Sequence, residues 1–327
     1  MRIAVLGTGR IGAMHAELLA QRVEGVSLAA VYDAESGLAR SVADRLGVDA
    51  VASAEELYAS PEVDAIAICS STDTHVDAMV AAAESGKAIF CEKPLSLDLA
   101  EVDRGLAAVE RAGVFFQVGF NRRFDPAHQS VRDAVAAGTI GDVHIVRITS
   151  RDPAPPPAKY SRGSGGLFLD TTLHDFDLAR YVTGSEVVDV YARGAVRITD
   201  ELDTAVVTLT HADGAFTVID NSRQAVYGYD QRVEAFGSLG VAASENPLAH
   251  TGLVRTTAGT HAPTLPYFFL ERYIPSYVRE WEAFVSAFRD GSPSPVGPAD
   301  GRAPLVIGLA AQRSHREGRL VRIDEVG

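Results

Sequence analysis

The run Gly7-Thr8-Gly9-Arg10-Ile11-Gly12 constrains this chain more than any other stretch. It follows directly on an apolar strand predicted for Ile3 to Leu6 and opens a helix through His15-Ala16-Glu17-Leu18-Leu19. Three glycines at this spacing allow a tight strand-to-helix turn, close approach of a pyrophosphate to the backbone, and packing of the helix on the strand. The helix N-terminus adds N–H donors and the positive end of a dipole. The six-residue pattern is weak in isolation; its context strengthens it. A second strand, Val26 to Tyr32, leads into Asp33, twenty-one residues beyond Gly12. A carboxylate there accepts the ribose hydroxyls and repels a 2′-phosphate, and Ala34 beside it offers no cation. The motif therefore reads as a site for NAD rather than NADP.

The surrounding rhythm agrees. A helix over AESGLARSVADRLG stops at Gly47, where a left-handed C-cap is expected. Apolar strands are predicted at Val63 to Cys69, Lys87 to Cys91 and Val114 to Val118, with helices at His75 to Ser85 and Ser96 to Ala112 between them. Strand and helix in alternation predict a doubly wound parallel sheet, an α/β domain over residues 1–121. Beyond that point strands dominate: Val143 to Arg151, Val187 to Ile198, Thr204 to Thr210, Ala215 to Asn221 and Gln231 to Phe236. Asp213-Gly214 marks a hairpin between two of them. A helix is predicted from Leu167 to Thr183, and two more at Pro275 to Arg289 and Arg302 to Glu317. Residues 122–327 thus read as an α+β domain with a large open, mostly antiparallel sheet.

Bulk properties narrow the function classes. A formal charge of −13 argues against nucleic acid or an anionic membrane surface as partner. No apolar run is long enough to span a bilayer, and the N-terminus lacks a signal peptide's pattern, so a cytoplasmic protein is expected. The two cysteines, Cys69 and Cys91, sit in apolar strands and read as packed thiols, with neither disulfide nor zinc spacing.

Two further motifs carry chemistry. Cys91-Glu92-Lys93-Pro94 falls at the carboxyl edge of a predicted strand, where open α/β sheets bind ligands, and Pro94 restricts the backbone of Lys93. The stretch Gly165-Gly166-Leu167-Phe168-Leu169-Asp170-Thr171-Thr172-Leu173-His174-Asp175-Phe176-Asp177 spaces Asp170 and His174 four apart, with Asp177 three further on. On a continuous helix that is one stripe of carboxylate, imidazole and carboxylate. A polar helix face and a metal site are the competing readings; no second histidine stands at a tight ligand spacing, and no metal is expected.

Taken together with Gly119-Phe120-Asn121-Arg122-Arg123-Phe124, these motifs resemble the glucose–fructose oxidoreductase/inositol dehydrogenase/rhizopine catabolism family over essentially the whole chain. Within it, DxxxHDFDLARY, YGYDQRVEAFGSLG and FLERYIPSYVREWEAF are most similar to bacterial inositol dehydrogenases. The resemblance implies an N-terminal Rossmann domain binding NAD and a C-terminal substrate domain whose open sheet mediates assembly, here into a homotetramer. It implies Lys93, Asp170 and His174 as catalytic residues. The cofactor set it implies is Gly7, Gly9, Arg10, Ile11, Gly12, Asp33, Ser70, Ser71, Thr72, His75, Glu92, Lys93 and Asn121. The expected substrate set is Lys93, Asn121, Arg123, Asp152, Thr171, His174, Asp177 and Tyr229.

The implied reaction is oxidation of a secondary alcohol of a cyclic polyol, myo-inositol to scyllo-inosose. His174 is expected to take the hydroxyl proton, because an imidazole titrates near neutral pH. Asp170 would orient the ring and Lys93 stabilise the reacting oxygen, with Lys93 as direct proton acceptor the alternative. Another inositol isomer or an aldose such as glucose is the rival substrate. A non-catalytic NAD(H) sensor and an enzyme that retains and recycles its cofactor are the rival classes. The segment from Asp152 to Ser164 reads either as a lid or as a passive surface loop.

Overall fold

The structure is a computed structural model that describes residues 1–157, 160 and 163–327. The expected loop from Asp152 to Ser164 therefore lies partly outside the described residues. Two compact units are present: Met1–Asn121 with Ser276–Leu305, and Arg122–Pro275 with Val306–Gly327.

The first unit is built on six parallel strands: β1 (Arg2–Leu6), β2 (Ser27–Tyr32), β3 (Asp49–Ala50), β4 (Ala65–Ile68), β5 (Ala88–Glu92) and β6 (Phe116–Gly119). Their order is β3-β2-β1-β4-β5-β6. The order reverses between β1 and β4, the switch point at which such sheets leave a crevice at their carboxyl ends. β4 reads Ala-Ile-Ala-Ile with every residue buried, as a strand covered on both faces must be. The helix Ser36–Leu46 ends at Gly47 with φ +71°, the left-handed cap expected there. The helix Leu99–Ala112 starts later than the Ser96 expected, because the Asp98 carboxylate accepts the N–H groups of Ala100 and Glu101. From the late segment, Trp281, Phe284 and Val285 join the core around Phe90, Leu19 and Ile3.

The second unit centres on a seven-stranded sheet. Its strands are β7 (Val143–Arg151), β8 (Val187–Ala195), β9 (Thr204–His211), β10 (Phe216–Ser222), β11 (Asp230–Gly237), β12 (Gly240–Ser244) and β15 (Val321–Arg322), in the order β12-β11-β7-β10-β9-β8-β15. Only β7 and β10 pair in parallel. A two-stranded ribbon, β13 (Val254–Thr256) with β14 (Gly259–His261), stands apart. Val146, Ile148, Val190, Val207, Ile219 and Val233 pack one face of the large sheet against Phe168, Phe176 and Ile307. The opposite face leaves Val206, Phe216, Phe236 and Val241 exposed. β8 stops at Ala195, short of the expected Ile198, because the Asp203 carboxylate takes the N–H groups of Arg197, Ile198 and Thr199 and curls the chain into a loop.

Candidate active site

In the first unit the glycine run occupies the switch point. Gly7 has φ +89°, and a Cβ on it would stand 2.4 Å from the Cα of Ser70 after β4. Gly9 begins the helix Arg10–Gln21 without any side-chain cap, and a Cβ there would meet nothing within 4 Å. Packing therefore does not demand a glycine at Gly9; the open space above the helix N-terminus is what a pyrophosphate needs. Arg10 and Ile11 follow in the first turn, Arg10 exposed. Asp33 accepts the backbone N–H of Thr8 at 2.6 Å and its hydroxyl at 3.1 Å, and its other oxygen accepts Glu35 N–H at 2.9 Å. Asp33, the residue expected to read the ribose, is thus tied to the glycine loop expected to cradle phosphate.

Ser70, Ser71 and Thr72 follow β4, with the Ser70 and Thr74 hydroxyls 2.6 Å apart. His75 is buried: its Nδ1 lies 2.9 Å from the Pro94 carbonyl and its Nε2 3.0 Å from that of Ser70. Burial pushes its pKa down, while the two carbonyls that face its ring nitrogens pull it back up. Asn121 is buried, and its side-chain Nδ2 has no hydrogen-bond partner among the described residues. A buried amide donor left unmet is costly without a ligand to satisfy it. Open space over Gly9, the Asp33 carboxylate and this donor together fit a dinucleotide.

In the second unit Asp170 and His174 lie on neighbouring helices rather than one: Gly166–Asp170 and Leu173–Thr183. The expected single helix is interrupted by a wide turn. Both Thr171 N–H and Thr172 N–H reach the Leu167 carbonyl, the second an i to i−5 bond. The Thr172 hydroxyl also contacts that carbonyl and the Oδ1 of Asn221 at 2.8 Å. Such wide turns recur at functional sites because they re-aim side chains. From Leu167 to Arg180 every residue is buried except His174, which is partly exposed.

The other candidates surround this turn. Asp170 accepts Tyr160 O–H and Arg223 Nη2, both at 3.3 Å. Thr171 is buried, its N–H used by the wide turn. Asp177 receives Arg123 through Nε at 2.8 Å and Nη2 at 2.5 Å, so these two candidates hold each other in a forked pair. Tyr229 is buried, its hydroxyl 3.4 Å from Arg122 Nη2 and its ring edge-on to Tyr273. Burial raises the Asp152 carboxyl to about 6, Arg223 and Arg122 opposing the rise while Asp170 and Asp175 add to it.

Four partners do not stand out in the sequence: Arg122, Asp175, Asn221 and Arg223. Asp175, the residue after His174, accepts Arg122 Nη1 at 2.7 Å and Asn221 Nδ2 at 2.8 Å in a buried network. Asp175 stands inside the HDFD motif and Arg122 inside NRRF, but nothing local pairs residues so far apart in sequence.

Residues 1–120 match the oxidoreductase family with an NAD-binding Rossmann fold, and residues 128–243 match the GFO/IDH/MocA C-terminal domain. The chain belongs to this family of oxidoreductases. It is 47% identical to the myo-inositol 2-dehydrogenase of Thermotoga maritima, across 100% of this chain and 99% of that one. It is 42% identical to the inositol 2-dehydrogenase of Rhizobium meliloti, over 99% of both chains. Among solved structures, scyllo-inositol dehydrogenase from Lactobacillus casei, with bound NAD(H) and scyllo-inositol, superposes with a TM-score of 0.92 at 27% identity, over 99% of each chain. Among the described residues no helix is long and apolar enough to cross a membrane.

Proposed function

We propose that the chain is an NAD-dependent inositol 2-dehydrogenase that oxidises one secondary alcohol of myo-inositol to the ketone, scyllo-inosose. The observation that carries this reading is His174, the one partly exposed residue in the buried run from Leu167 to Arg180, separated from Asp170 only by the wide turn at Thr171 and Thr172. The inositol dehydrogenases named above, similar over nearly their full length, supply the substrate class.

Bound NAD supplies the hydride acceptor. Gly7, Gly9, Arg10, Ile11 and Gly12 receive its pyrophosphate, Asp33 its ribose hydroxyls, and Ser70, Ser71, Thr72, His75, Glu92 and Asn121 complete its contacts. His174 removes the hydroxyl proton, since an imidazole is basic enough at neutral pH and accepts without needing prior ionisation. Asp170, anchored by Arg223, steadies the imidazolium that forms. Lys93 donates to the reacting oxygen. Asp152, Asn121, Arg123, Thr171, Asp177 and Tyr229 form the polar lining that a polyhydroxylated ring requires, either directly or, like the forked Arg123–Asp177 pair, by fixing neighbours.

The enzyme works in the cytoplasm as a homotetramer. Support for assembly comes from the apolar outer face of the seven-stranded sheet, where Val206, Phe216, Phe236 and Val241 are exposed.

The test is initial-rate absorbance at 340 nm with myo-inositol, scyllo-inositol and glucose, each with NAD and with NADP. NADH formation from myo-inositol is expected. Activity confined to scyllo-inositol or glucose would keep the reaction class and overturn the substrate; no activity on any of the three would overturn the reading. His174→Ala is expected to lower kcat by at least about a hundredfold while NAD affinity stays within about twofold, the range a lost general base commonly shows.

A further inference from the structure

We propose that His15, a residue outside every candidate set above, is a positioning residue that holds Lys93 through Glu92. The inference rests on the reading of Lys93 as a catalytic residue.

His15 lies on the helix that the glycine run opens, and it is fully buried. A buried imidazole must account for both ring nitrogens. The indole Nε1–H of Trp281, itself fully buried, points at His15 Nδ1 at 2.9 Å. An indole nitrogen can only donate. Nδ1 is therefore the acceptor and the proton sits on Nε2, so the ring is neutral and of one tautomer. Nε2 lies 2.8 Å from Glu92 Oε1 and donates to it. Phe90, Tyr277 and Trp281 each meet the ring edge-on, at centroid distances of 5.3, 5.4 and 5.6 Å, so aromatic side chains enclose the imidazole.

Glu92 passes the constraint on. Its other oxygen, Oε2, accepts the backbone N–H of Lys93 at 3.3 Å. The chain runs from an indole through an imidazole and a carboxylate to the peptide nitrogen of Lys93. On the far side of Lys93, the Pro94 carbonyl lies 2.9 Å from His75. Lys93 is thus bracketed by two buried histidines, and removing His15 frees the bracket on one side only. Nothing in nucleotide packing requires a tautomer-locked imidazole at this place; a leucine would fill a comparable volume. The polar relay makes sense as a way to aim the residue it ends on.

The test uses the full chain with His15→Leu, His15→Gln and Trp281→Phe. Glutamine places a donor N–H near the position of Nε2; leucine does not. Amide hydrogen exchange reads the last bond directly. In His15→Leu, the Lys93 amide should exchange at least tenfold faster, while the amides of Ile89, Phe90 and Cys91 in the same strand keep their protection. With myo-inositol, kcat should fall ten- to a hundredfold, and the NADH dissociation constant, read by fluorescence, should stay within twofold. His15→Gln should recover both quantities to within about threefold.

Trp281→Phe, which removes only the tautomer lock, should speed exchange at Lys93 by a few fold. It also serves as the deciding variant if His15→Leu fails to fold. An unmoved Lys93 amide in the variant that folds overturns the proposal. So does equal impairment in the leucine and glutamine variants, or acceleration spread along the whole strand. Should the wild type turn over no inositol, the functional reading fails, and the exchange measurement still decides the relay.

Discussion

A Cβ on Gly12 would stand 1.8 Å from the carbonyl oxygen of Gly7, whereas a Cβ on Gly9, between them, would meet nothing within 4 Å. Packing demands the first glycine and not the second, which the proposed pyrophosphate site would account for. Gly12→Ala is therefore expected to cost about 3 kcal/mol or more, because the clash is with backbone that cannot rotate away. Gly9→Ala, at φ −60° where any residue fits, should leave stability within about 0.5 kcal/mol. It should nevertheless weaken NAD binding at least tenfold. Thermal melting with and without NAD separates the two, and a Gly9→Ala protein that binds NAD normally would count against the pyrophosphate site.

Asp33 holds the Thr8 backbone N–H at 2.6 Å while standing where the ribose hydroxyls are expected. Its replacement should therefore show in two places. Asp33→Ala leaves the Thr8 N–H unmet and should cost about 1–2 kcal/mol of stability, together with a ten- to hundredfold rise in the KM for NAD. Asp33→Asn keeps an acceptor for Thr8 and should recover most of the stability, while easing the discrimination against NADP. Denaturant unfolding and paired NAD and NADP kinetics check this; equal stability of the two variants would mean that the Thr8 bond does not matter.

Much of this arrangement is legible in the sequence, for identifiable reasons. The Rossmann half announces itself because its strands are short, largely apolar and punctuated by glycine, and because Asp33 follows the glycine run at a fixed interval. β7 has the bounds expected of it, since Val143 to Arg151 alternates cleanly. The wide turn at Thr171 and Thr172 is not legible. It arises from a threonine hydroxyl bonding to Asn221, 49 residues away in the next layer, and periodicity reads only neighbours. His15 gives no signal for the same reason: its partners Glu92 and Trp281 are 77 and 266 residues distant. Long-range polar pairing leaves no local trace. The short strands β12 and β15 leave as little, being recruited by β11 and β8 rather than by their own composition.

The Arg122–Asp175 pair is buried at 2.7 Å, with side-chain exposures of 5% and 0%. Neither charge has water to fall back on. Asp175→Ala should strand the guanidinium and cost about 3–5 kcal/mol, measured by urea unfolding. A double replacement, Arg122→Met with Asp175→Leu, should recover a good part of that stability, because no unpaired charge remains. It should not recover turnover, since Asp175 also holds Asn221, whose Oδ1 accepts the Thr172 hydroxyl of the wide turn. A loss below about 1 kcal/mol for Asp175→Ala would mean that the pair is not buried in solution.

Asp152 gives the sharpest pH signature. Burial raises its carboxyl from 3.8 to about 6 against the counter-pull of Arg223 and Arg122. Between those two values the folded chain binds a proton that the unfolded chain has released. The group's stabilising contribution is therefore fully present below about 3.8 and is lost as pH rises through 6. At pH 7 the ionised carboxylate costs the fold at most about 3 kcal/mol, since each tenfold change in proton affinity is worth about 1.4 kcal/mol. Asp152→Asn removes the titration. Its stability should equal that of the wild type near pH 3.5 and exceed it progressively up to about pH 7, with a plateau above. Catalysis should move the opposite way. If Asp152 binds substrate as proposed, its ionised form would accept the hydroxyls, so the wild-type KM for the polyol should rise as pH falls below about 6, whereas the KM of Asp152→Asn should be higher at pH 8 and flat through that window. If the stability difference between the two proteins does not change with pH, the carboxyl titrates in its ordinary range and has no part in the acid limb of the profile.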